Sequence, residues 1–449
     1  MTQFEEDMTA GSTRPTAPKP PLGAAFANVF SANIASSLGD GIARTAIPLL
    51  AVRITDDALL ISGIAALAML PWLFFAIPAG ILIDRIDRRV ALATANTVRA
   101  ALAVTLVIVT ATGSLTIWWL YAIIFIYGIF ETVYDGAIRA VVPSILPKAQ
   151  LPRANSLIEA GEQVMQSFVS GPATSLLFAV SALIPLGTNA VVYALAVVLA
   201  LFLPAVASGR QYAAAHARTG GAKEGPWYKQ FVDGFRFIMT SRLLKTLWLL
   251  STLTGMAISF ATASFVLYLI GQLGLPEEFF GIFMLTGAAG AIGASVITQQ
   301  LKERFGTGPT VAAANLLAGL GVVMVGFIHN LWAIAIGWFV VSGSITVWNI
   351  LIMSLRQSII PGRLLGRVHG TWRTVLWGSM PLGSVLGGLV GRIDLTLPFI
   401  IGGGASVLIG LVWFGFLRRL PNPEDVDNGD EAALATPTDP TPTDPTVQD

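Results

Sequence analysis

The sequence predicts an all-α polytopic membrane protein in which twelve transmembrane helices form two bundles of six. First, 54% of its 449 residues are hydrophobic and only 12% are charged, whereas a soluble domain carries roughly 25% charged residues. Second, the apolar residues fall into runs long enough to cross a bilayer. Third, lysine and arginine concentrate in alternate loops between those runs.

Each apolar run has about 20 residues, the length that a helix needs to cross a hydrocarbon core of roughly 30 Å. The N-terminal bundle, residues 23–206, is predicted to hold spans near residues 26–54, 58–82, 90–112, 116–138, 154–181 and 187–206. The C-terminal bundle, residues 243–420, is predicted to hold spans near residues 243–270, 279–299, 309–328, 331–354, 371–391 and 396–417.

Polar segments flank and separate the two bundles. Residues 1–22 are rich in proline and lack the basic start of a signal peptide, and residues 421–449 are acidic and end in a Thr-Pro-Asp repeat. Neither segment can bury apolar surface, so we expect two disordered cytoplasmic tails. In the linker, residues 207–242, apolar side chains recur at helical intervals among basic ones, which predicts an amphipathic helix on the membrane surface. These apolar residues are Trp227, Phe231, Phe235 and Ile238.

Positive charge distinguishes the two sides of the membrane. If the N-terminus is cytoplasmic, the cytoplasmic loops and the linker hold most of the lysine and arginine. The opposite loops hold little beyond Arg53, Arg392 and a few acidic residues. The positive-inside rule therefore places both termini in the cytoplasm.

The composition excludes several classes of function. The chain has no cysteine, and its three histidines lie far apart, which excludes thiolate chemistry and argues against a metal cluster. A net charge of +1 provides no strong positive electrostatic field that would attract nucleic acid. Neither the G-x-x-x-x-G-K-[ST] phosphate loop nor the H-E-x-x-H metal motif occurs. We expect no enzyme, no cofactor, no metal and no nucleic-acid partner.

The two halves resemble each other weakly. ILPKAQLPRAN, residues 145–155, and IIPGRLLGRVH, residues 359–369, match at Ile, Pro, Leu and Arg with one offset of 214 residues. Both stretches follow the fourth span of their half. Internally repeated halves that meet at a midplane site are typical of secondary transporters.

One charged stretch in this apolar chain carries a family resemblance. GILIDRIDRR, residues 80–89, is similar to the loop signature between helices 2 and 3 of the major facilitator superfamily. Asp87 stands where that signature usually has a second glycine. The matching residues are Gly80, Asp84, Arg85, Arg88 and Arg89.

The resemblance covers residues 23–420 and implies the major facilitator fold. Residues 36–50, 143–155, 361–370 and 381–388 look like an exporter branch with enterobactin-type siderophore exporters and macrolide or drug efflux proteins. By this resemblance, the signature loop would latch the halves together on the cytoplasmic side. Asp135 and Arg139 are the expected partners of Arg88 and Asp84. The alternative is that the loop arginines only anchor the topology.

Several charges fall within the predicted spans, where an ionisable residue costs about 2.5–3.5 kcal/mol to insert and so indicates function. Asp40 and Arg44 lie four residues apart on one helix face and are expected to pair. They form either a proton- or substrate-coupled site, with Asp40 as the carrier and Arg44 tuning its pKa, or a static ion pair that fixes packing. Glu131 is the further candidate proton carrier, and Arg99 either pairs with Glu131 or binds an anionic substrate.

Other residues are candidates for the wall of a substrate cavity, although a packing or interface role is the favoured alternative for each aromatic one. The cavity candidates are Asn33, Arg99, Trp348, Asn349 and Trp377. Gly171 and Pro172 keep only the Gly-Pro core of the antiporter motif of drug exporters, to which they are similar.

The resemblance implies a bacterial inner-membrane transporter that exports a small hydrophobic or amphipathic molecule, such as a drug or siderophore, by proton antiport. Its expected partners are the lipid bilayer, the substrate and protons, and its expected state is a monomer. The alternative is a proton-coupled importer with the same fold.

Overall fold

The computed structural model describes residues 21–208 and 227–426, and every regular element in these two ranges is helical. The two expected tails fall almost entirely outside these ranges, and the first part of the linker does so as well. The described part of the linker contains the helix that the sequence predicts there.

The N-terminal half contains seven α-helical segments. They are α1 Gly23–Ile54, α2 Ala58–Arg85, α3 Arg88–Ala111, α4 Ile117–Ile145, α5 Leu151–Gln163, α6 Ser170–Val180 and α7 Leu183–Leu201. A π-helix at Val164–Val169 joins α5 to α6, so the fifth predicted span is one interrupted rod. Such π-turns within α-helices are rare and often mark functional sites.

The linker helix and the C-terminal half follow. They comprise α8 Trp227–Thr240, α9 Arg242–Thr262, α10 Glu277–Phe305, α11 Thr307–Phe327, α12 Leu331–Ile359, α13 Gly362–Gly391 and α14 Leu397–Val412. A short helical segment, Phe265–Leu267, and a π-helix, Tyr268–Gln272, extend α9.

Within the described ranges, nine helical stretches are long and apolar enough to cross a membrane, and α14 is a shorter apolar helix. The α1 helix, which carries Asp40, Arg44 and Arg53, is not among the nine, and neither is the interrupted rod of α5 and α6. The all-helical polytopic architecture is confirmed. The number of twelve membrane crossings stays a prediction.

Helix packing shows the internal repeat directly. In the N-terminal half α2 packs on α4, α3 on α7 and α1 on α7. In the C-terminal half α10 packs on α12, α11 on α14 and α9 on α14, which is the same pattern in the corresponding helices. The halves meet where α2 packs on α13 and where α6 packs on α10, and these two contacts correspond to each other under the repeat.

The amphipathic helix α8 packs on α13 and α9. Ile238 is fully buried, and the Thr371 hydroxyl donates a hydrogen bond to the Phe231 carbonyl at 3.1 Å. Gly234 lets the helix approach α13, because a Cβ there would lie 2.5 Å from the Arg367 carbonyl oxygen. The apolar side of α8 therefore meets the C-terminal bundle. Its contact with the membrane surface stays a prediction.

We call the end of the molecule that holds both described chain ends the inner end and the opposite one the outer end. Glycines bring the halves together near the outer end, where small residues allow helix backbones to touch. A Cβ at Gly281 in α10 would lie 2.0 Å from the carbonyl oxygen of Gly171 in α6. A Cβ at Gly388 in α13 would collide with Ser62 in α2.

The Gly281→Ala substitution is expected to destabilise the described state by about 1–3 kcal/mol, because the added methyl group must push two backbones apart. Thermal unfolding in detergent measures the effect. Gly404→Ala is the matched control, since a Cβ at this helical glycine would meet nothing within 4 Å. Equal unfolding temperatures for the two variants would contradict the packing described.

Candidate functional site

A buried ion pair occupies the core of the N-terminal half. The Arg99 guanidinium donates from Nη1 to Oδ1 of Asp40 at 2.6 Å, and the side chains are 0% and 7% exposed. The hydroxyls of Tyr127 and Tyr193 donate to the same carboxylate oxygen at 2.6 and 2.7 Å. The Asp40 charge is therefore met by three donors from α3, α4 and α7.

Polar and aromatic groups surround the guanidinium as well. Arg99 Nη2 donates to Asn96 Oδ1 at 2.7 Å and to Ser36 Oγ at 3.1 Å. Its guanidinium carbon lies 4.6 Å from the ring centre of Tyr134, within cation–π range. We refer to Ser36, Asp40, Asn96, Arg99, Tyr127, Tyr134 and Tyr193 as the Asp40 cluster.

A second ion pair lies beside this cluster and faces open space. Arg44 Nη2 donates to Glu131 Oε1 at 2.6 Å, and Nη1 donates to Gln166 Oε1 at 3.0 Å. Gln166 belongs to the π-helix between α5 and α6. The Arg44 side chain is 55% exposed and that of Glu131 is 13% exposed.

The expected pairings, Asp40 with Arg44 and Arg99 with Glu131, are both wrong, because the four residues exchange partners. Helical spacing does put Asp40 and Arg44 near each other. Arg99, however, is sealed from solvent, where a charge without a counterion costs several kcal/mol, about 3–5 kcal/mol by the loss of one partner. Asp40 supplies that carboxylate, and Arg44 turns to Glu131.

The Arg44 and Glu131 pair lies on the wall of a cavity of about 570 Å³ between the two halves. Helices of both halves line this central cavity, and its wall is mostly apolar and aromatic. Its largest apolar side chains are Met69, Trp72, Phe265, Phe280, Trp377 and Met380. A cavity with large apolar walls and few polar groups is typical of a small-molecule site.

Two further cavities adjoin the central one, and Trp377 lines all three. One of about 410 Å³ lies toward the inner end and is lined by Asp135, Arg373 and His369. The Arg373 guanidinium lies 4.1 Å from the ring centre of Trp377. The other, of about 430 Å³, lies within the C-terminal half and includes two predicted cavity residues, Trp348 and Asn349.

Two of the predicted cavity residues do not reach a cavity surface in this state. Asn33 is fully buried and donates to Glu162 Oε1 at 2.9 Å, and Arg99 is fully buried in the Asp40 cluster. Polarity alone nominated both residues, and polarity does not distinguish a cavity wall from a satisfied helix contact.

The signature loop makes its described contacts inside the N-terminal half. Arg88 donates to the Ala140 carbonyl at 2.7 Å, and Arg89 pairs with Asp87 at 2.9 Å. Asp87 also accepts the Arg89 backbone N–H at 3.0 Å and so caps α3, which accounts for an aspartate where the signature has glycine.

The latch expected between Asp135, Arg139 and the signature loop stays a prediction. Asp135 pairs with Arg139 on its own helix at 3.0 Å. The side chains of Asp84 and Arg85 lie outside the described set. Toward the inner end, a cavity of about 410 Å³ lies between parts of α2, α4 and α13.

Ion pairs join the halves at the outer end. Arg53 at the end of α1 bonds Glu277 at the start of α10, with Nε 3.0 Å from a carboxylate oxygen. Arg392 after α13 bonds Asp57, the N-cap of α2, at 2.8 Å. The hydrogen bond from Arg392 lowers the pKa of Asp57 below its usual range. The sequence marked these residues only as outer-loop charges, and no local pattern pairs residues so far apart.

Ion pairs and glycine contacts thus join the halves at the outer end, and cavities lie between the halves at the centre and toward the inner end. The family description of transmembrane secretion effectors matches residues 16–442. The chain belongs to this family of the major facilitator superfamily. The expected resemblance is therefore confirmed, and the protein is a membrane transporter and not an enzyme.

Curated relatives of this chain include efflux proteins. It is 25% identical over 438 residues to the multidrug efflux pump Tap of Mycobacterium tuberculosis, covering 92% of this chain and 97% of the relative. It is 21% identical over 394 residues to macrolide efflux protein A of Streptococcus pyogenes, covering 86% of this chain and 94% of the relative.

Solved structures share the fold at low identity. A bacterial homologue of the iron transporter ferroportin, in an inward-facing state, superposes with a TM-score of 0.69 at 14% identity, covering 88% of this chain and 99% of that one. The nucleoside transporter NupG gives 0.67 at 14% identity, covering 88% and 100%. These likenesses concern the fold alone.

The Asp40→Asn and Arg99→Gln single variants of this secretion effector are each expected to lose about 3–5 kcal/mol of stability, because each leaves a buried charge unpaired. The double variant should lose less than the sum, which thermal unfolding measures. Asp135→Asn, in an exposed pair, is the control and should change stability by about 0–1 kcal/mol. Strictly additive losses would contradict a paired core.

Breaking the outer pairs should open the outer end. Because the chain has no cysteine, Ala65→Cys in the central cavity gives a single labelling site. We expect Asp57→Asn to speed its labelling by a membrane-impermeant maleimide added from outside. Glu303→Gln, an exposed residue at the distant inner end of α10, is the control and should leave the rate unchanged. An unchanged rate in Asp57→Asn would show that this pair does not hold the outer end closed.

The outer Asp57 pair is expected to be insensitive to pH near neutrality. A carboxylate with a lowered pKa stabilises the folded contact at all higher pH values and loses that effect only as the pH falls through the lowered pKa. Titration of Asp57 should therefore leave labelling at the Ala65→Cys site unaffected between about pH 5 and pH 8. The measurement compares proteins with Asp57 and with Asp57→Asn, whose ratio of labelling rates should stay constant across this range.

Proposed function

We propose that this chain is a secondary active exporter of a small hydrophobic or amphipathic molecule, such as a drug or siderophore, and that it works by proton antiport. The observation that carries the proposal is the central cavity. Its wall is apolar and aromatic, it holds the Arg44 and Glu131 ion pair, and the outer end above it is closed. The named functions of the two efflux relatives support the same direction of transport.

Export begins with loading from the inner side. The described state holds the outer end closed by two ion pairs between the halves, while a cavity of about 410 Å³ lined by α2, α4 and α13 lies toward the inner end. An amphipathic molecule that partitions into the inner leaflet or the cytoplasm can then reach Trp72 and Trp377. Binding in an apolar cavity removes its apolar surface from water.

Glu131 is the proposed proton carrier. The Glu131 side chain is only 13% exposed, and it lines the central cavity beside Arg44. Protonation removes the negative charge and frees Arg44, so the proton and the ion pair compete for the same oxygen. Arg44 also bonds Gln166 in the π-helix next to α6, which packs on α10 of the other half. This contact gives a physical route from proton binding to the interface between halves.

Asp40 is proposed as a structural residue in place of a second carrier, since three donors already hold its charge. The Tyr127 hydroxyl reaches Asp40, and its side chain also lines the central cavity. We further propose that the protein lies in a bacterial inner membrane with both termini cytoplasmic and works as a monomer. The charge asymmetry of the loops supports that orientation.

In alternating access, the outer end then opens and the inner end closes. Opening of the outer end requires the Arg53 and Glu277 pair and the Asp57 and Arg392 pair to separate. Each is solvent-exposed and so contributes about 0–1 kcal/mol, which makes both easy to break. Closure of the inner end would bring the signature loop toward α13, where the latch expected from the sequence would form.

The test uses proteoliposomes with an acidic lumen, to which a macrolide or another efflux substrate is added outside. We expect substrate to accumulate as protons leave, and Glu131→Gln to abolish the response to the pH gradient while retaining substrate binding. Glu159→Gln, an exposed α5 residue, is the control. Transport that ignores the gradient refutes proton antiport, and downhill proton flow in the same direction as substrate would show the importer alternative instead.

A further inference from the structure

The C-terminal half contains a buried cation that the transport scheme above does not use. Arg356 lies near the end of α12 and is only 7% exposed. Among the side chains that the structure describes, no carboxylate lies within ion-pairing distance of its guanidinium. A buried charge without a counterion is costly, so a protein keeps one where something else supplies the opposite charge.

The described contacts of Arg356 hold its guanidinium in place without neutralising it. Its Nη2 hydrogen-bonds His369 Nδ1, and since arginine can only donate, the imidazole nitrogen accepts. The guanidinium carbon lies 4.3 Å from the ring centre of Trp372, which is a cation–π contact. The Nε–H is buried with no hydrogen-bond partner among the described residues. Neutral groups therefore hold the Arg356 guanidinium in place, and its Nε–H can still donate a hydrogen bond to a ligand.

Arg356 lines the cavity of about 430 Å³ in the C-terminal half, which has the size of a small-molecule site. Two more of its lining residues have buried polar atoms without partners in the described part of the chain, namely the Ser251 hydroxyl and the Asn315 side-chain carbonyl. Trp348 and Trp377 provide broad apolar surfaces on the same wall. The cavity therefore presents a cationic hydrogen-bond donor next to the faces of aromatic rings.

We propose that this C-terminal cavity binds the anionic group of an amphipathic organic anion, with Arg356 as its charged donor and Trp348 and Trp377 against its apolar body. Guanidinium groups suit carboxylate, sulfonate and phosphate oxygens because they donate two parallel hydrogen bonds. The cavity shares Trp377 and Met380 with the central cavity, so the bound anion would lie on the transport route. The inference rests on the proposed transport function only in naming this ligand a substrate.

The test compares two probes of the same ring system and similar shape, the anion 2-naphthoate and its neutral amide 2-naphthamide. Isothermal titration calorimetry on the protein in lipid nanodiscs, corrected with empty nanodiscs, measures both affinities without any proton gradient. We expect the wild-type protein to prefer naphthoate. Arg356→Gln should weaken naphthoate binding by about 10- to 100-fold, the value of a charge-assisted hydrogen bond, and leave naphthamide unchanged.

Two further variants separate charge from geometry and from folding. Arg356→Lys keeps the charge but loses the planar fork, so its naphthoate affinity should lie between those of wild type and Arg356→Gln. Trp348→Ala should weaken both probes alike. Arg304→Gln, an exposed arginine near the end of α10, is the matched control and should change neither. Because Arg356→Gln removes an unpaired buried charge, its unfolding temperature should not fall.

Three outcomes would overturn the inference: equal wild-type affinity for the two probes, unchanged naphthoate binding in Arg356→Gln, or an equal loss for both probes in that variant. Failure of the proposed function looks different. If Arg356 selects naphthoate but proteoliposomes show no proton-driven transport, the anion site stands and the antiport proposal falls. If transport is proton-driven but the protein does not prefer naphthoate over naphthamide, the antiport proposal stands and the anion site falls.

Discussion

The structure depends on one constraint, which is that a charge buried among apolar helices must meet an opposite charge or a strong dipole. Arg99 satisfies this requirement through Asp40, and the tyrosines of α4 and α7 complete the shell around the carboxylate. Because these groups come from α1, α3, α4 and α7, one electrostatic requirement fixes the relative positions of four helices. The surrounding apolar contacts stabilise the bundle but, because they are non-directional, do little to fix how the helices are oriented.

The ion pairs fall into two physical classes. The pair of Asp40 and Arg99 is sealed and cannot separate cheaply, so it behaves as part of the scaffold. The pairs of Asp57 with Arg392 and of Arg53 with Glu277 are open to solvent, and their separation costs little because water replaces each partner. A transporter needs both classes, because the halves must remain rigid while the contacts between them change.

The repeated halves have the same helix pairing and different chemistry. In the N-terminal half the buried cation is paired internally, and a second ion pair faces the cavity. In the C-terminal half Arg356 has neutral partners and aromatic neighbours. The symmetry of the fold thus supplies two similar walls, while a few charged side chains give one wall a carboxylate paired with an arginine and the other an arginine that no described carboxylate neutralises.

The sequence by itself determined the class of the protein. Apolar runs, charge asymmetry and the GILIDRIDRR stretch sufficed for an all-helical transporter fold, because span length and loop charge are local properties of the chain. The position of Asp40, Arg44, Arg99 and Glu131 within predicted spans also made them candidate functional charges. Only the tertiary structure decided which of these residues pair, that Asn33 is buried and that Arg356 lines a cavity. Ion pairs form between helices distant in sequence, and helical spacing within one segment carries no information about the partner that burial will impose.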